Sequence, residues 1–220
     1  MFTGIIEALG NIVEINPKGS DWRIRLAVGS LDMSDVQLGD SIAVDGVCLT
    51  VVQFDRHSVA MEVSAETLSK TSLGAFGVGR PVNLEKALTP TTRLGGHLVS
   101  GHVDGVGIVE LRETVGDSLH FRIRVTDELA KYIAHKGSVC VDGVSLTVNA
   151  VDGAVFDLNI IPHTARITTM GDYQTGRKVN IEVDLIARYL ERLLLGDQAA
   201  QTQTQGRVDL AFLAKNGFLK

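Results

Sequence analysis

The sequence predicts an all-β fold: two tandem six-stranded barrels with a C-terminal α-helix. Three observations predict it. First, Ser41-Ile42-Ala43-Val44-Asp45-Gly46-Val47-Cys48-Leu49-Thr50-Val51 returns as Ser138-Val139-Cys140-Val141-Asp142-Gly143-Val144-Ser145-Leu146-Thr147-Val148, an offset of 97 residues. Second, each copy holds about six short runs of strand period between Gly-rich turns, a number that suits a small closed barrel. Third, the apolar period lengthens to that of a helix after Asp184.

In the first copy, Asn11-Ile12-Val13-Glu14-Ile15 opens the strand series. Trp22 to Val28 then alternates apolar and polar, the pattern of a half-buried strand. Ser41–Val44 and Cys48–Phe54 flank Asp45-Gly46, a favoured hairpin turn pair. Ser58–Val63 and Pro81–Glu85 complete the set, with Pro81 at a strand start, where proline is tolerated. Ala65 to Leu73 reads as a short helix or turn. The second copy repeats the scheme, and Phe121-Arg122-Ile123-Arg124-Val125 echoes the Trp22 strand. Thr3-Gly4-Ile5-Ile6-Glu7 aligns with Ser100-Gly101-His102-Val103-Asp104, and Val82-Asn83-Leu84-Glu85 with Val179-Asn180-Ile181-Glu182. One offset over most of the unit means a domain duplication, not a solenoid.

Leu88 to Gly96 is polar and then Gly-rich, the composition of a joint. Beyond the second copy, Leu185, Ile186, Tyr189, Leu190, Leu193 and Leu194 share one helical face, with Asp184 as N-cap and Gly196 as C-terminal stop. That stripe has two readings. It packs on its own barrel, or it pairs with copies of itself; two barrels with their own cores favour the second. Gln198 to Gln205 reads as a polar spacer, and Val208 to Leu213 as a last short helix ending near Gly217.

A formal charge of −5 offers no basic surface for nucleic acid. No apolar run reaches the length of a membrane span, and Met1 to Glu7 lacks the basic start of a signal peptide. Two cysteines, Cys48 and Cys140, at unmatched repeat positions make no disulfide framework. The expected location is cytoplasmic.

The most unusual run is Gly95-Gly96-His97-Leu98-Val99-Ser100-Gly101-His102. Its two histidines lack further ligands at metal spacing, which argues against a metal. His97 reads as a residue satisfying backbone groups in the joint. His102 replaces the apolar Ile5 of the first copy, which points to a site. Cys48 is matched by Ser145, a polar residue of like size, beside Thr50 and Thr147. No Walker loop, no strand–GxGxxG–helix unit and no paired-carboxylate signature occurs. The residues alone therefore lead to two related small-molecule sites that have diverged.

These motifs, in this order and spacing, resemble the riboflavin synthase family of the α-chain type, over nearly the whole chain. The marks are Met1 to Glu7, Asp45 to Val51, Gly95 to Asp104, Asp142 to Val148 and Asn180-Ile181-Glu182-Val183-Asp184. The resemblance implies a Greek-key topology, a lumazine-binding barrel at 1–97, a second at 98–184, and a trimerisation helix and tail at 185–220. It implies dismutation of two 6,7-dimethyl-8-ribityllumazines to riboflavin and 5-amino-6-ribitylaminouracil, with no metal or organic cofactor. It implies a homotrimer, association with lumazine synthase, and active sites between the N-terminal barrel of one subunit and the C-terminal barrel of a neighbour.

By the same resemblance, the N-terminal site uses Gly4, Ile5, Ile6, Cys48, Leu49, Thr50, Glu62, Val63, Ser64, Ala65, Glu66 and Thr67. The C-terminal site uses Gly101, His102, Val103, Lys136, Ser145, Leu146, Thr147, Ile161, Pro162, His163, Thr164, Ala165 and Arg166, supported by Asp184. His102 is expected in proton transfer, and Cys48 or Ser41 in orienting the nucleophile that adds at C7. Phe2 and Thr3 are expected to close over a ligand. His163 departs from the acidic residue usual there. Relatives that bind lumazine or flavin without chemistry are the main rival reading; retention of Cys48, His102, Ser145 and Thr147 favours the enzyme. A flavin oxidoreductase would need a nicotinamide-binding unit, and none follows the barrels.

Overall fold

The computed structural model describes residues Met1 to Ala200; the helix expected at Val208–Leu213 lies outside the described residues. The first copy forms β1 (Ala8–Lys18), β2 (Asp21–Ala27), β3 (Ser41–Val44), β4 (Val47–Phe54), β5 (Ser58–Val63) and β6 (Pro81–Lys86). They close into a barrel in the order β1-β2-β5-β4-β3-β6, all antiparallel. β3, β4 and β5 follow one another by hairpins while β6 returns beside β3, which is a Greek key. Alternation buries Ile24 and Leu26 of β2, Ile42 of β3, Leu49 and Val51 of β4, and Val82 and Leu84 of β6. Between β5 and β6 lie a short helix α1 (Ala65–Lys70) and a 3-10 turn (Ser72–Ala75), the segment the sequence reads as helix or turn. Ser64 caps α1 by accepting from the Thr67 N–H.

The second copy forms β7 (Gly105–Val115), β8 (Ser118–Arg124), a single turn of helix α2 (Asp127–Ala130), β9 (Ser138–Val141), β10 (Val144–Thr147), β11 (Ala150–Asp152), β12 (Val155–Ile160), α3 (Pro162–Ile167) and β13 (Lys178–Val183). Its sheet order is β10-β9-β13-β7-β8-β12-β11. This is the first barrel's order with the counterpart of β4 broken in two. The break falls at Val148-Asn149, where the first copy has Val51-Val52 and a β-bulge. Asparagine is a poorer strand residue than valine, and the weak point of β4 becomes a gap. Backbone bonds still cross it: Val148 N–H to Gly137 O (3.0 Å) and Asn149 N–H to Asp157 O (2.8 Å). The sheet curls around its own apolar core, with Phe121, Ile123, Leu158, Val179 and Ile181 buried inside.

α4 (Leu185–Leu194) follows β13. Asp184 accepts from the Ile186 N–H through Oδ1 (2.9 Å), the expected N-cap, and Gly196 takes φ +51 just past the end. None of its residues is buried. Met1–Arg188 form one compact unit and the residues from Tyr189 a second.

Candidate active site

The site begins at the two Asp-Gly turns. Asp45 and Asp142 both take φ +43, and Gly46 and Gly143 take +79 and +83, the left-handed pair that a tight hairpin requires. The turns meet face to face. A Cβ on Gly46 would come 2.7 Å from the Gly143 nitrogen, and one on Gly143 would come 2.9 Å from the Gly46 nitrogen. Asn83 donates to the Asp142 carbonyl (2.8 Å), and Asn180 donates to the Asp45 carbonyl (2.9 Å). The Asn83 side-chain oxygen accepts from Thr169 N–H, and that of Asn180 from Ser72 N–H. These reciprocal bonds relate the two copies by an approximate twofold.

The same twofold crosses the leading segments. The Ser145 N–H donates to Gly4 O (2.8 Å), and the Cys48 N–H donates to Gly101 O (2.9 Å). Each leading segment is clamped by a buried carboxylate of its own copy. Glu85 accepts from Thr3 N–H, Thr3 Oγ1 and Gly4 N–H at 2.6, 2.7 and 2.9 Å. Glu182 accepts from Ser100 N–H, Ser100 Oγ and Gly101 N–H at 2.5, 2.8 and 2.9 Å. Burial raises both carboxyls above the usual range, against the pull of these bonds.

Two outer faces result. On the first, Ala43 pairs with Cys48 and Ser41 with Thr50, while the intervening Ile42–Leu49 pair points into the core. Val51 opposite Met61 carries this register toward Glu62 and Val63, and Ser64 then starts α1. Cys48 is half-buried; Thr50, Glu62, Ser64, Ala65 and Glu66 are exposed, and Thr67 is half-buried. Gly101, with the exposed His102 and half-buried Val103 after it, borders this face at Cys48. On the second face, Cys140 pairs with Ser145 and Ser138 with Thr147. Gly4, the exposed Ile5 and the buried Ile6 border it at Ser145, next to Leu146. Lys136 joins at the far edge, its N–H on Val148 O (2.8 Å), with φ +63 where the first copy has Gly39. Ile161, Pro162, His163 and Arg166 are exposed on and before α3, with Thr164 and Ala165 half-buried.

The grouping expected from resemblance is therefore exchanged. Gly4–Ile6 lie with Ser145, not with Cys48, and Gly101–Val103 lie with Cys48, not with Ser145. The head-to-head turns cause it, because each clamped leading segment offers its carbonyl to the opposing hairpin.

Phe2 is also placed differently from a lid. It is fully buried, bridged to Val99 by two backbone bonds (2.7 and 3.1 Å), and packs with Ala43 and Cys140 between the copies. It reaches the first face only from beneath: a Cβ on Gly101 would lie 2.6 Å from the Cys48 Cβ and 2.8 Å from the Phe2 ring. Thr3 is buried in the Glu85 clamp. Cys140 is buried too, and burial pushes its thiol well up, which makes it unreactive at neutral pH. A cleft of about 600 Å³ brings Ser41, Thr3 and Ile5 together with Asp40, Lys86 and Arg93, but does not include Cys48 or Thr50.

Sequence reasoning passed over two kinds of residue. Asn83/Asn180 and Glu85/Glu182 recur at the repeat offset, and polar residues retained inside strand runs were the signal. His97, assigned to the joint, instead bonds Ser145 Oγ through Nδ1 at 2.7 Å. Burial holds its imidazole below the usual range, against the opposing charge of Asp184. Among the described residues, no three His, Cys, Asp or Glu side chains converge as a metal site. No described helix is long and apolar enough to cross a membrane.

Known proteins resemble this chain. The family model for the lumazine binding domain matches residues 3–87 and again 100–184. The riboflavin synthase of Photobacterium phosphoreum is 54% identical over 219 residues, covering 100% of both chains. That of Bacillus subtilis (strain 168) is 39% identical over 218 residues, covering 99% of this chain and 100% of its own. Among solved structures, LumP complexed with 6,7-dimethyl-8-(1'-D-ribityl) lumazine superposes with TM-score 0.75 at 24% identity, over 83% of this chain and 99% of that one. LumP complexed with riboflavin gives 0.78 at the same identity and coverage. At that identity the two structures establish the fold.

Proposed function

The chain belongs to the riboflavin synthase family, and we propose that it runs the family reaction between its two unlike outer faces. The activity is a transfer of a four-carbon unit. Two molecules of 6,7-dimethyl-8-ribityllumazine dismutate, one giving the unit to the other, and the products are riboflavin and 5-amino-6-ribitylaminouracil. Full-length identity to riboflavin synthases carries this conclusion.

The reaction asks little of acid–base chemistry. The C7 methyl of the lumazine is acidic because its carbanion delocalises into the pteridine. The larger task is to hold two lumazines against each other in one orientation, which replaces a bimolecular encounter. In this reading each face holds one lumazine. The first supplies Cys48, Leu49, Thr50, Ser41, Glu62 to Thr67, and Gly101 to Val103. The second supplies Ser145, Leu146, Thr147, Lys136, Ile161 to Arg166, Gly4 to Ile6, and Asp184.

His102 takes the methyl proton. It is exposed, and its backbone is fixed by its N–H on Ser100 Oγ (3.2 Å), within the Glu182 clamp. Ser41 and Cys48 orient the nucleophile that adds at C7. Phe2 acts from below as a wedge under the first face, and Thr3, held by Glu85, clamps the leading segment that borders the second.

The two faces of one chain border opposed hairpins, so each lumazine pair is completed by a neighbouring subunit. The exposed stripe of α4 supports a homotrimer, and the enzyme works in the cytoplasm. The decisive experiment gives the purified protein the lumazine alone. Riboflavin and the pyrimidine product should appear in equal amounts, without added metal or cofactor. Tight lumazine binding with no riboflavin would leave a carrier or antenna protein and refute the enzyme reading.

A further inference from the structure

We infer that His97 is a positioning residue for the reaction, holding the Ser145 hydroxyl so that its proton points out of the second face toward the bound lumazine. The inference rests on the reading above, that this face holds a lumazine.

Three observations carry it. The first is contact: His97 Nδ1 lies 2.7 Å from Ser145 Oγ. The approach is built in, because Gly96 leaves the room it needs. A Cβ on Gly96 would come 2.1 Å from Thr3 O and 2.7 Å from the Ser145 Cβ. The His97 N–H in turn donates to Thr3 O (3.1 Å), on the segment clamped by Glu85.

The second observation is the other ring nitrogen. His97 Nε2 is buried and has no hydrogen-bond partner. Burial also disfavours the imidazolium, so the ring is neutral and carries a single proton. A buried N–H without an acceptor is costlier and rarer than a buried lone pair without a donor. The proton therefore sits on Nδ1 and is donated to Ser145 Oγ. The hydroxyl accepts that bond and keeps its own proton free to donate elsewhere.

The third observation is asymmetry. Cys48, the matched residue on the first face, makes no side-chain hydrogen bond among the described residues, and a thiol is a weak donor. The repeated unit aligns from Thr3 and Ser100, so His97 stands outside the duplicated register. It is a feature of the second face only.

The chemistry that wants such a donor is formation of the lumazine anion. The C–H bond of the C7 methyl breaks, the electron pair passes into the pteridine, and the proton goes to the base, His102, which meets this lumazine from the first face of the neighbouring subunit that completes the pair. Negative charge then grows on ring oxygen and nitrogen. A fixed hydroxyl donor stabilises that charge without reorganising at the moment of reaction. A positioned Ser145 thus makes the second face the side on which the anion forms.

The test compares His97→Ala, His97→Asn, Ser145→Ala and the double variant His97→Ala/Ser145→Ala in the full-length protein. An asparagine amide can replace the Nδ1 donor. His97→Ala should lower kcat about tenfold with KM changed less than threefold, and should slow exchange of the lumazine methyl protons into D2O by a like factor. His97→Asn should recover most of both. In the Ser145→Ala background, removing His97 should cost nothing more, because it acts through that hydroxyl. Equal losses in the alanine and asparagine variants, or losses that multiply in the double variant, would overturn the inference. So would His97→Ala activity within twofold of the parent. A parent protein that makes no riboflavin would refute the functional reading itself, which keeps the two failures apart.

Discussion

His102 shows what one residue can reveal from register alone. An apolar position of the first copy, Ile5, is histidine in the second, and both are exposed. Because the position lies on the surface in both copies, core packing does not dictate the change from an apolar to a titratable side chain. Its neighbours explain how it is held: Gly101 is buried against Cys48 and Phe2, and Ser100 is locked to Glu182. If His102 takes the methyl proton, His102→Gln should lower kcat by about a hundredfold or more, the usual yield of a general base. Binding of riboflavin, measured by fluorescence quenching, should change far less. Equal losses in turnover and binding would make His102 a binding residue. His97 was illegible for the opposite reason. It lies outside the duplicated register, so no paired position marks it, and only the fold brings it onto Ser145.

At the scale of elements, the Asp-Gly hairpins were legible as turns but not as an interface. Periodicity and turn chemistry report local structure. They do not report that Asp45 and Asp142 are both fully buried where the turns meet. The two carboxyls have unequal company. Tyr173 donates to Asp142 Oδ2 (2.6 Å), whereas Phe76 stands at the matching place in the first copy and Asp45 Oδ2 has no partner. Arg80 lies over the Phe76 ring and Arg177 over the Tyr173 ring, at 3.9 and 4.1 Å. Burial, with the nearby Asp142 charge, pushes the Asp45 carboxyl well above its ordinary range, and the Asn83 N–H and the two arginines only partly oppose it. The folded state therefore binds this proton more tightly than the unfolded chain does. Its contribution to stability is greatest below the unfolded carboxyl value, roughly pH 4, and declines as pH rises through the folded value. Asp45→Asn keeps an oxygen for the Asn83 N–H and removes the titration. It should raise Tm at pH 8 by about 2–4 °C, the effect of roughly 1 kcal/mol in a chain of this size, and the gain should vanish near pH 4. Melting curves that differ by the same amount at both pH values would show that Asp45 does not titrate in this window.

For the whole molecule, the duplication, the all-β class and the trailing helix could be read because each leaves a period in the sequence. The crossing of the leading segments could not. An offset of 97 residues tells which residues correspond, and it is silent on whether Gly4 bonds its own hairpin or the other one. That choice is made by long-range contacts: the opposed turns, the Glu85 and Glu182 clamps, and the Phe2–Val99 bridge. It has a consequence for assembly. Within one chain, each face is bordered by the leading segment of the other copy, so a second lumazine laid over either face must be covered from outside. In the proposed assembly the helix α4 offers the means. Arg188 ties its first turns to Asp104 and lies over the Tyr132 ring, while Leu193 and Leu194 are 76% and 79% exposed, in line with Ile186, Tyr189 and Leu190. Burying one such leucine is worth roughly 1.5–3 kcal/mol, and a symmetric assembly gains that once per subunit. Leu190→Glu/Leu193→Glu leaves both barrels and the Arg188 contacts untouched. By sedimentation the variant should be monomeric, its barrels should melt within about 3 °C of the parent, and its riboflavin formation should fall at least tenfold at low protein concentration. Raising the concentration should restore part of that activity, because assembly is then driven by mass action. A monomer that keeps full activity would mean that one chain holds both lumazines unaided, and the intersubunit site would have to be abandoned.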